Sequence, residues 1–246
     1  MSGTGASAAE GLRERKKRLL RRQLSDTAAR LFVERGFDAV RVAEVAEACG
    51  VSEKTVFNYF PTKEALVLDR LEATMAALRP GLARRDVPPV EAAVRLLATE
   101  LDGMTAALDA QGDPASAIAG YRRFGDLIRT TPSLRAHQSE VMDRFVAVAA
   151  EVLAERAGLD PADPEPQIAA TALLGLWRVQ FQSLRHHLDG ARTPAEVARA
   201  VTADVARAAR LVSAGLDAIP AFGAVPASGA VPASGAGTPG AVPPGR

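Results

Sequence analysis

Apolar residues recur at three- and four-residue spacing along most of this chain, and no convincing alternation at every second position stands out. Leu20, Leu24, Ala28, Leu31 and Phe32 form one stripe of a helix expected over 14–35, and Gly36 ends it. The next apolar positions, Val45, Cys49, Val51 and Val56, fall in two much shorter helical segments, 42–49 and 53–60. Gly50 breaks the chain between them, Ser52 can cap the second, and Pro61 stops it. Thr62 then caps a helix expected to reach 79. After "RPGLARRDVPP", which reads as a linker, helices are expected at 89–109, 114–130, 133–157, 165–188 and 194–217. Gly-Asp-Pro, Thr-Pro-Ser, "GLDPADPEP" and "DGARTP" separate them. The fold class is all-α, with a head of short helices and a bundle-like body of long ones.

Composition marks off the ends. Residues 1–12 are rich in Gly, Ser and Ala and are expected to be disordered. Residues 219–246 hold "GAVPAS" twice in tandem, a density of Pro and Gly that reads as a flexible tail. Between them the head takes 13–66 and the body 67–218.

The net charge of +1 hides an uneven distribution. In "RERKKRLLRR", residues 13–22, seven basic residues face one acid. A basic end on a balanced body suits an anionic partner, nucleic acid or lipid headgroups, although a solvated helix face explains a charge run as well. A single cysteine, Cys49, allows no disulfide within the chain and no zinc framework, which fits a reducing cytoplasm. Cys49 itself reads as a small buried packing group. No stretch approaches the roughly 18 apolar residues of a membrane span, and the first residues lack the apolar core of a signal peptide. No nucleophile–base pair, paired carboxylates or phosphate loop stands out, so no enzyme, cofactor or metal is expected.

Segment 42–60 carries the chemistry. A short helix, a turn opened by Gly50 and a second helix of two turns make a helix-turn-helix unit. Neither helix reaches the roughly 12 residues that even marginal stability in water requires. The first helix must brace them through Leu31 and Phe32. Such a unit exists to project its second helix into a major groove. With Val56 and Phe60 inward, Glu53, Lys54 and Asn58 face out and Phe57 lies about 100° round from Val56. Lys54 can reach guanine or a phosphate, and Asn58 an adenine edge. The hydroxyls of Thr55 and Tyr59 suit phosphate, and an exposed Phe57 suits a thymine methyl. Ser52 and Arg41, each at the start of a motif helix, complete the candidate DNA-facing set. Lys63 joins it at the start of the next helix, where backbone N–H groups favour an anion.

Residues 21–67, "RRQLSDTAARLFVERGFDAVRVAEVAEACGVSEKTVFNYFPTKEALV", resemble the DNA-binding domain of the TetR/AcrR family of transcriptional regulators. The resemblance implies DNA contacts at Lys54, Thr55, Tyr59 and Lys63. It also implies a body that binds a small-molecule effector and dimerises, with the last two helices forming a four-helix interface. The protein is then a regulator, expected to be a repressor, released from a palindromic double-stranded DNA operator by its effector. Two positions depart from the family pattern. Arg41 stands where Thr commonly caps the first motif helix, and Phe57 where Tyr is frequent.

The body is less specific. Met104, Leu108, Phe124, Ile128, Met142, Phe145, Trp177 and Phe181 are large residues of the kind that line adaptable pockets, and equally of the kind that fill a core. Arg122, Arg123 and Arg129 suit an anionic group on a ligand or a solvated face. "LIRTTPSLRAHQSEVMDRF" and "LLGLWRVQF" are similar to a TetR subgroup with acyl-CoA-like ligands. Adjacent His186 and His187 point about 100° apart and read as surface residues rather than metal ligands. A homodimer is also what two half-sites on a duplex demand. The competing reading is a constitutive DNA-binding or protein-interaction module with no effector.

Overall fold

The computed structural model describes residues 4–110, 112–188, 193–219 and 222. Among the described residues the chain is all-α, with no strand. The head comprises α1 (Thr4–Arg35), α2 (Val42–Ala48) and α3 (Glu53–Tyr59). The pair α4 (Lys63–Val67) and α5 (Asp69–Leu82) leads into the body, formed with α6 (Pro89–Asp109), α7 (Pro114–Thr130), α8 (Pro132–Ala157), α9 (Pro164–Leu188) and α10 (Pro194–Asp217). The body helices start where the punctuation says they should. Proline stands in the first turn of α6, α7, α8 and α10, where its missing N–H costs nothing. Asp113 caps α7 by accepting from Ala115 and Ser116, and Thr193 and Glu196 form a reciprocal capping box at α10.

Three boundaries differ from the sequence reading. First, α1 begins at Thr4 rather than Glu14, so the small-residue start joins the helix instead of standing apart from it. Ala6, Ala8 and Ala9 are the best helix formers, and Gly5 and Gly11 do not stop them. Second, the helix expected over 62–79 is two helices. Leu66, Val67 and Leu68 are all buried in succession, and three consecutive residues cannot share one face of a regular helix. The backbone leaves helical geometry at Leu68 (φ −100°, ψ 18°), and α5 restarts from Asp69 on a new face. Third, α5 continues past Pro80 to Leu82, which shortens the linker. The Pro/Gly/Ala tail lies outside the described residues except for its start, where Phe222 is buried and donates its backbone N–H to the Ile219 carbonyl at 2.9 Å.

One continuous apolar core runs through head and body. In the head it contains Leu24, Ala28, Phe32, Val45, Val56 and Phe60; in the body Leu97, Phe145, Leu153, Leu173 and Trp177. Two polar ties fasten the joint between them. Ser25 donates to the Leu66 carbonyl at 3.1 Å, and Arg21 meets Asp69 at 2.7 Å.

A third polar tie holds the turn between α5 and α6. The half-buried Arg156 of α8 donates to the carbonyls of Leu82 (2.6 Å), Arg84 (2.7 Å) and Val87 (3.0 Å). A guanidinium presents this fork in one plane, and an ammonium does not. We expect Arg156→Ala to destabilise the chain by about 1–3 kcal/mol and Arg156→Lys to recover only part of that, read from urea unfolding midpoints.

Candidate nucleic-acid interface

The turn between α2 and α3 closes as a Schellman motif. Gly50, at φ 67°, donates its N–H to the Glu47 carbonyl, and Val51 donates to the Ala46 carbonyl, each at 3.0 Å. A left-handed backbone there excludes most side chains. The chain then enters α3 through Ser52, whose hydroxyl oxygen accepts the Thr55 N–H at 3.1 Å and lies 2.8 Å from the Thr55 hydroxyl. Cys49 is half-buried, its Sγ 3.9 Å from the Gln23 carbonyl of α1.

Helix α3 divides cleanly. Val56 has no exposed surface and Phe60, just past the helix, has almost none. The Arg21 guanidinium of α1 sits 4.9 Å from the Phe60 ring centroid and donates to the Tyr59 carbonyl. Glu53, Lys54 and Asn58 are exposed, Thr55 and Tyr59 half-buried. Phe57 leaves 45% of its surface to solvent, far more than a ring keeps when it serves a core. Lys54, Phe57 and Asn58 therefore share the outer side of a short, braced helix.

Arg41 precedes α2 and makes no side-chain cap, since a guanidinium offers no acceptor. Glu44 compensates by accepting the Arg41 N–H at 2.9 Å. That bond, with the Arg35 guanidinium at 2.7 Å, holds the Glu44 carboxyl below its usual range. The Arg41 side chain stays exposed. Lys63 differs from expectation. Its ammonium turns to the Phe37 carbonyl at 2.6 Å and lies 4.4 Å from the Phe37 ring and 5.5 Å from that of Phe32. A carbonyl and two ring faces give the cation an internal seat.

Residues 24–69 match the family described as bacterial regulatory proteins, tetR family. Residues 101–217 match the MftR C-terminal domain. The chain belongs to the TetR family. Among relatives of this TetR-family chain, the candidate mycofactocin biosynthesis transcriptional regulator MftR of Mycobacterium tuberculosis is 29% identical over 155 residues, 62% of this chain and 73% of that protein. The HTH-type transcriptional regulator TcmR of Streptomyces glaucescens is 32% identical over 161 residues, 61% of this chain and 66% of that protein. Among solved structures, Thermus thermophilus FadR, a TetR-family repressor in complex with lauroyl-CoA, is 25% identical, covers 78% of this chain and 92% of its own, and has a TM-score of 0.45. That likeness is too loose to speak of a ligand here. The protein is thus a DNA-binding TetR-family transcriptional regulator. No helix among the described residues is long and apolar enough to cross a membrane.

In the body of this TetR regulator, Met104 and Leu108 of α6, Phe145 of α8 and Trp177 of α9 are buried, while Phe124, Ile128 and Met142 are partly so. Phe181 lies at the surface, 37% exposed. A surface concavity of about 330 Å³ lies between α9 and α10, lined by Ile168, Ala172, Leu211, Val212, Gly215, Leu216 and Ile219. None of the eight candidate ligand residues borders it. Arg122, Arg123 and Arg129 are exposed, Arg129 paired with Asp126 at 3.2 Å.

Two body features escape sequence reasoning. Glu100 of α6 accepts the Trp177 indole N–H at 3.1 Å and the Thr74 hydroxyl, and burial pushes its carboxyl up. No local spacing signals this, because its partners come from α5 and α9. His187 is not the surface residue expected: its Nε2 lies 3.1 Å from Asp204 of α10, which also accepts from Ser183 at 2.7 Å. The Ser183 bond is the chief reason that the Asp204 carboxyl lies low. His186 remains exposed.

Lys63→Met keeps the apolar stem and removes the ammonium. We expect it to cost about 2 kcal/mol of stability, seen as a lower urea midpoint for the full chain with an unchanged slope.

Proposed function

We propose that the chain is a homodimeric repressor that reads a palindromic operator with α3 and leaves it when a small apolar effector enters the body. The observation that carries the DNA reading is the outer side of α3, where Lys54, Phe57 and Asn58 stand exposed on a helix fixed from behind by Val56 and Phe60. Lys54 and Asn58 address base edges, and Phe57 addresses a thymine methyl. Arg41, Ser52, Thr55 and Tyr59 address phosphates at the rim. Lys63 acts here by fixing the start of α4 against Phe37, with any phosphate contact secondary.

Dimerisation uses the outer side of α9 and α10. Ile168 is 59% exposed and Leu211 78%, next to an apolar concavity, and a face of that kind is covered in a stable assembly. Helices α4 and α5 link the two ends of each protomer. The Arg79 guanidinium of α5 reaches Glu151 and Glu155 of α8, and Thr74 reaches Glu100, so a body that rearranges α8 or α6 moves the base of the head. An effector that converts a 99:1 preference for the DNA-competent form into 1:99 must favour the released form by about 10⁴-fold, or about 5.5 kcal/mol. Acyl-CoA-like molecules and other long apolar ligands are the class proposed, supported by the large apolar residues of α6, α7, α8 and α9. Such a protein works in the cytoplasm.

A constitutive regulator without effector is the second reading, and one observation favours it. Phe145 and Trp177 have no exposed surface and Met104 and Leu108 almost none, so these four serve as core in this conformation.

Full chain should select a two-fold symmetric duplex from a randomised pool. Asn58→Ala and Lys54→Ala should each lose about 1–3 kcal/mol at single base positions, measured by titration on matched and mismatched duplexes. Acyl-CoAs should raise the melting temperature and release the duplex. Melting raised by none of a panel of acyl-CoAs, fatty acids and aromatic drugs favours the constitutive reading. Separately, Leu211→Glu should shift the chain toward monomer in sedimentation and weaken operator binding at equal fold stability.

A further inference from the structure

Helix α1 is longer than the head requires. Among its described side chains the first fully buried one is Leu24, with Leu20 partly buried, yet the helix begins at Thr4. The tetR-family match starts at residue 24, so the segment upstream lies outside that match. Arg13, Arg15, Lys16, Lys17 and Arg18 are exposed and form no ion pair among the described residues.

Charge on this segment works against its own helix. Arg13 and Lys17, Lys17 and Arg21, and Arg18 and Arg22 are like-charge pairs four residues apart. A polyanion laid along the segment relieves this repulsion. The position is equally telling. Arg21, at the root of the segment, donates to the carbonyl of Tyr59, the last residue of α3. The exposed cations therefore begin within a turn or two of the end of the proposed reading helix and run away from it.

We propose that residues 13–18 of α1 form a second DNA-contacting element, a basic helical arm that lies along the phosphates flanking the half-site read by α3. This rests on the DNA reading of α3 given above. From Arg13 to Arg18 the helix rises about 7.5 Å, against about 3.4 Å between successive base-pair steps, so the arm spans roughly two phosphates of one strand. It adds affinity and footprint without base preference, because it offers cations and no bidentate amide. Lengthening the operator flank strengthens binding, and raising salt weakens it more steeply than the head alone requires.

The test compares the full chain with a variant in which Arg13, Arg15, Lys16, Lys17 and Arg18 are all changed to Gln. The probe is a duplex enriched by the unaltered chain from a randomised pool, prepared with flanks of about one helical turn and again trimmed to the half-sites. On the long duplex, the slope of log affinity against log salt should be shallower in the variant by about 2 per head. On the trimmed duplex the two proteins should bind alike. The urea unfolding midpoint of the variant should be no lower than that of the unaltered chain, because none of the five side chains is buried and the like-charge pairs are relieved. Equal salt slopes on the long duplex overturn the arm. So does specific capture of the unaltered chain, but not the variant, by phosphatidylglycerol vesicles when the slopes are equal, which assigns the helix to a lipid surface. Absence of binding to any duplex at low salt overturns the reading of α3 itself. Loss of binding in Asn58→Ala with unchanged slopes in the five-site variant overturns the arm alone.

Discussion

Everything at the DNA end rests on the burial of Phe32. Its ring has no exposed surface, packs at 5.0 Å from the ring of Phe37 and lies beneath the Lys63 ammonium. Helices of seven residues cannot hold themselves in water, so α2 and α3 exist only as extensions of that packing. Phe32 joins three things that are distant in sequence: the apolar stripe of α1, the loop after Gly36 and the first residue of α4. A face that must present side chains to a rigid groove needs its backbone fixed from behind, and the aromatic pair with its cation does so with few residues.

The break at Leu68 has the same economy. A continuous helix would direct Leu66, Val67 and Leu68 to different sides and leave part of that apolar surface wet. By restarting at Asp69 the chain lets α4 complete the head core while α5 packs into the body. Head and body thus share one core through a joint five residues long, fastened by Ser25 and by the Arg21–Asp69 pair. Only Leu68 separates α4 from α5, so head and body meet without an intervening loop.

Much of this was legible in the sequence, for reasons that can be named. The helix-turn-helix could be read because its turn needs Gly50, its entry needs a Ser52-type cap and its inward face needs Val56 and Phe60; each is a local demand on a local residue. The body starts were legible at Pro89, Pro114 and Pro194 for the same reason. What could not be read depends on contacts between distant segments. The partner of Lys63 is a carbonyl 26 residues earlier, and Glu100 meets an indole 77 residues later. No periodicity announces such a meeting. His187 was misjudged because a pair of adjacent histidines says nothing about Asp204 on the neighbouring helix. The start of α1 was misjudged because small residues suggest disorder by composition while alanine favours helix by mechanism.

The chain's one tryptophan is Trp177, fully buried with its indole N–H on the Glu100 carboxyl. Indole emission shifts in wavelength and intensity with local polarity and with a nearby carboxylate, and no second tryptophan dilutes it. The body therefore carries its own optical reporter at the junction of α5, α6 and α9. A molecule that parts these helices changes the fluorescence of the unlabelled protein, whereas an event confined to the distant outer side of α3 leaves it nearly dark to such a measurement.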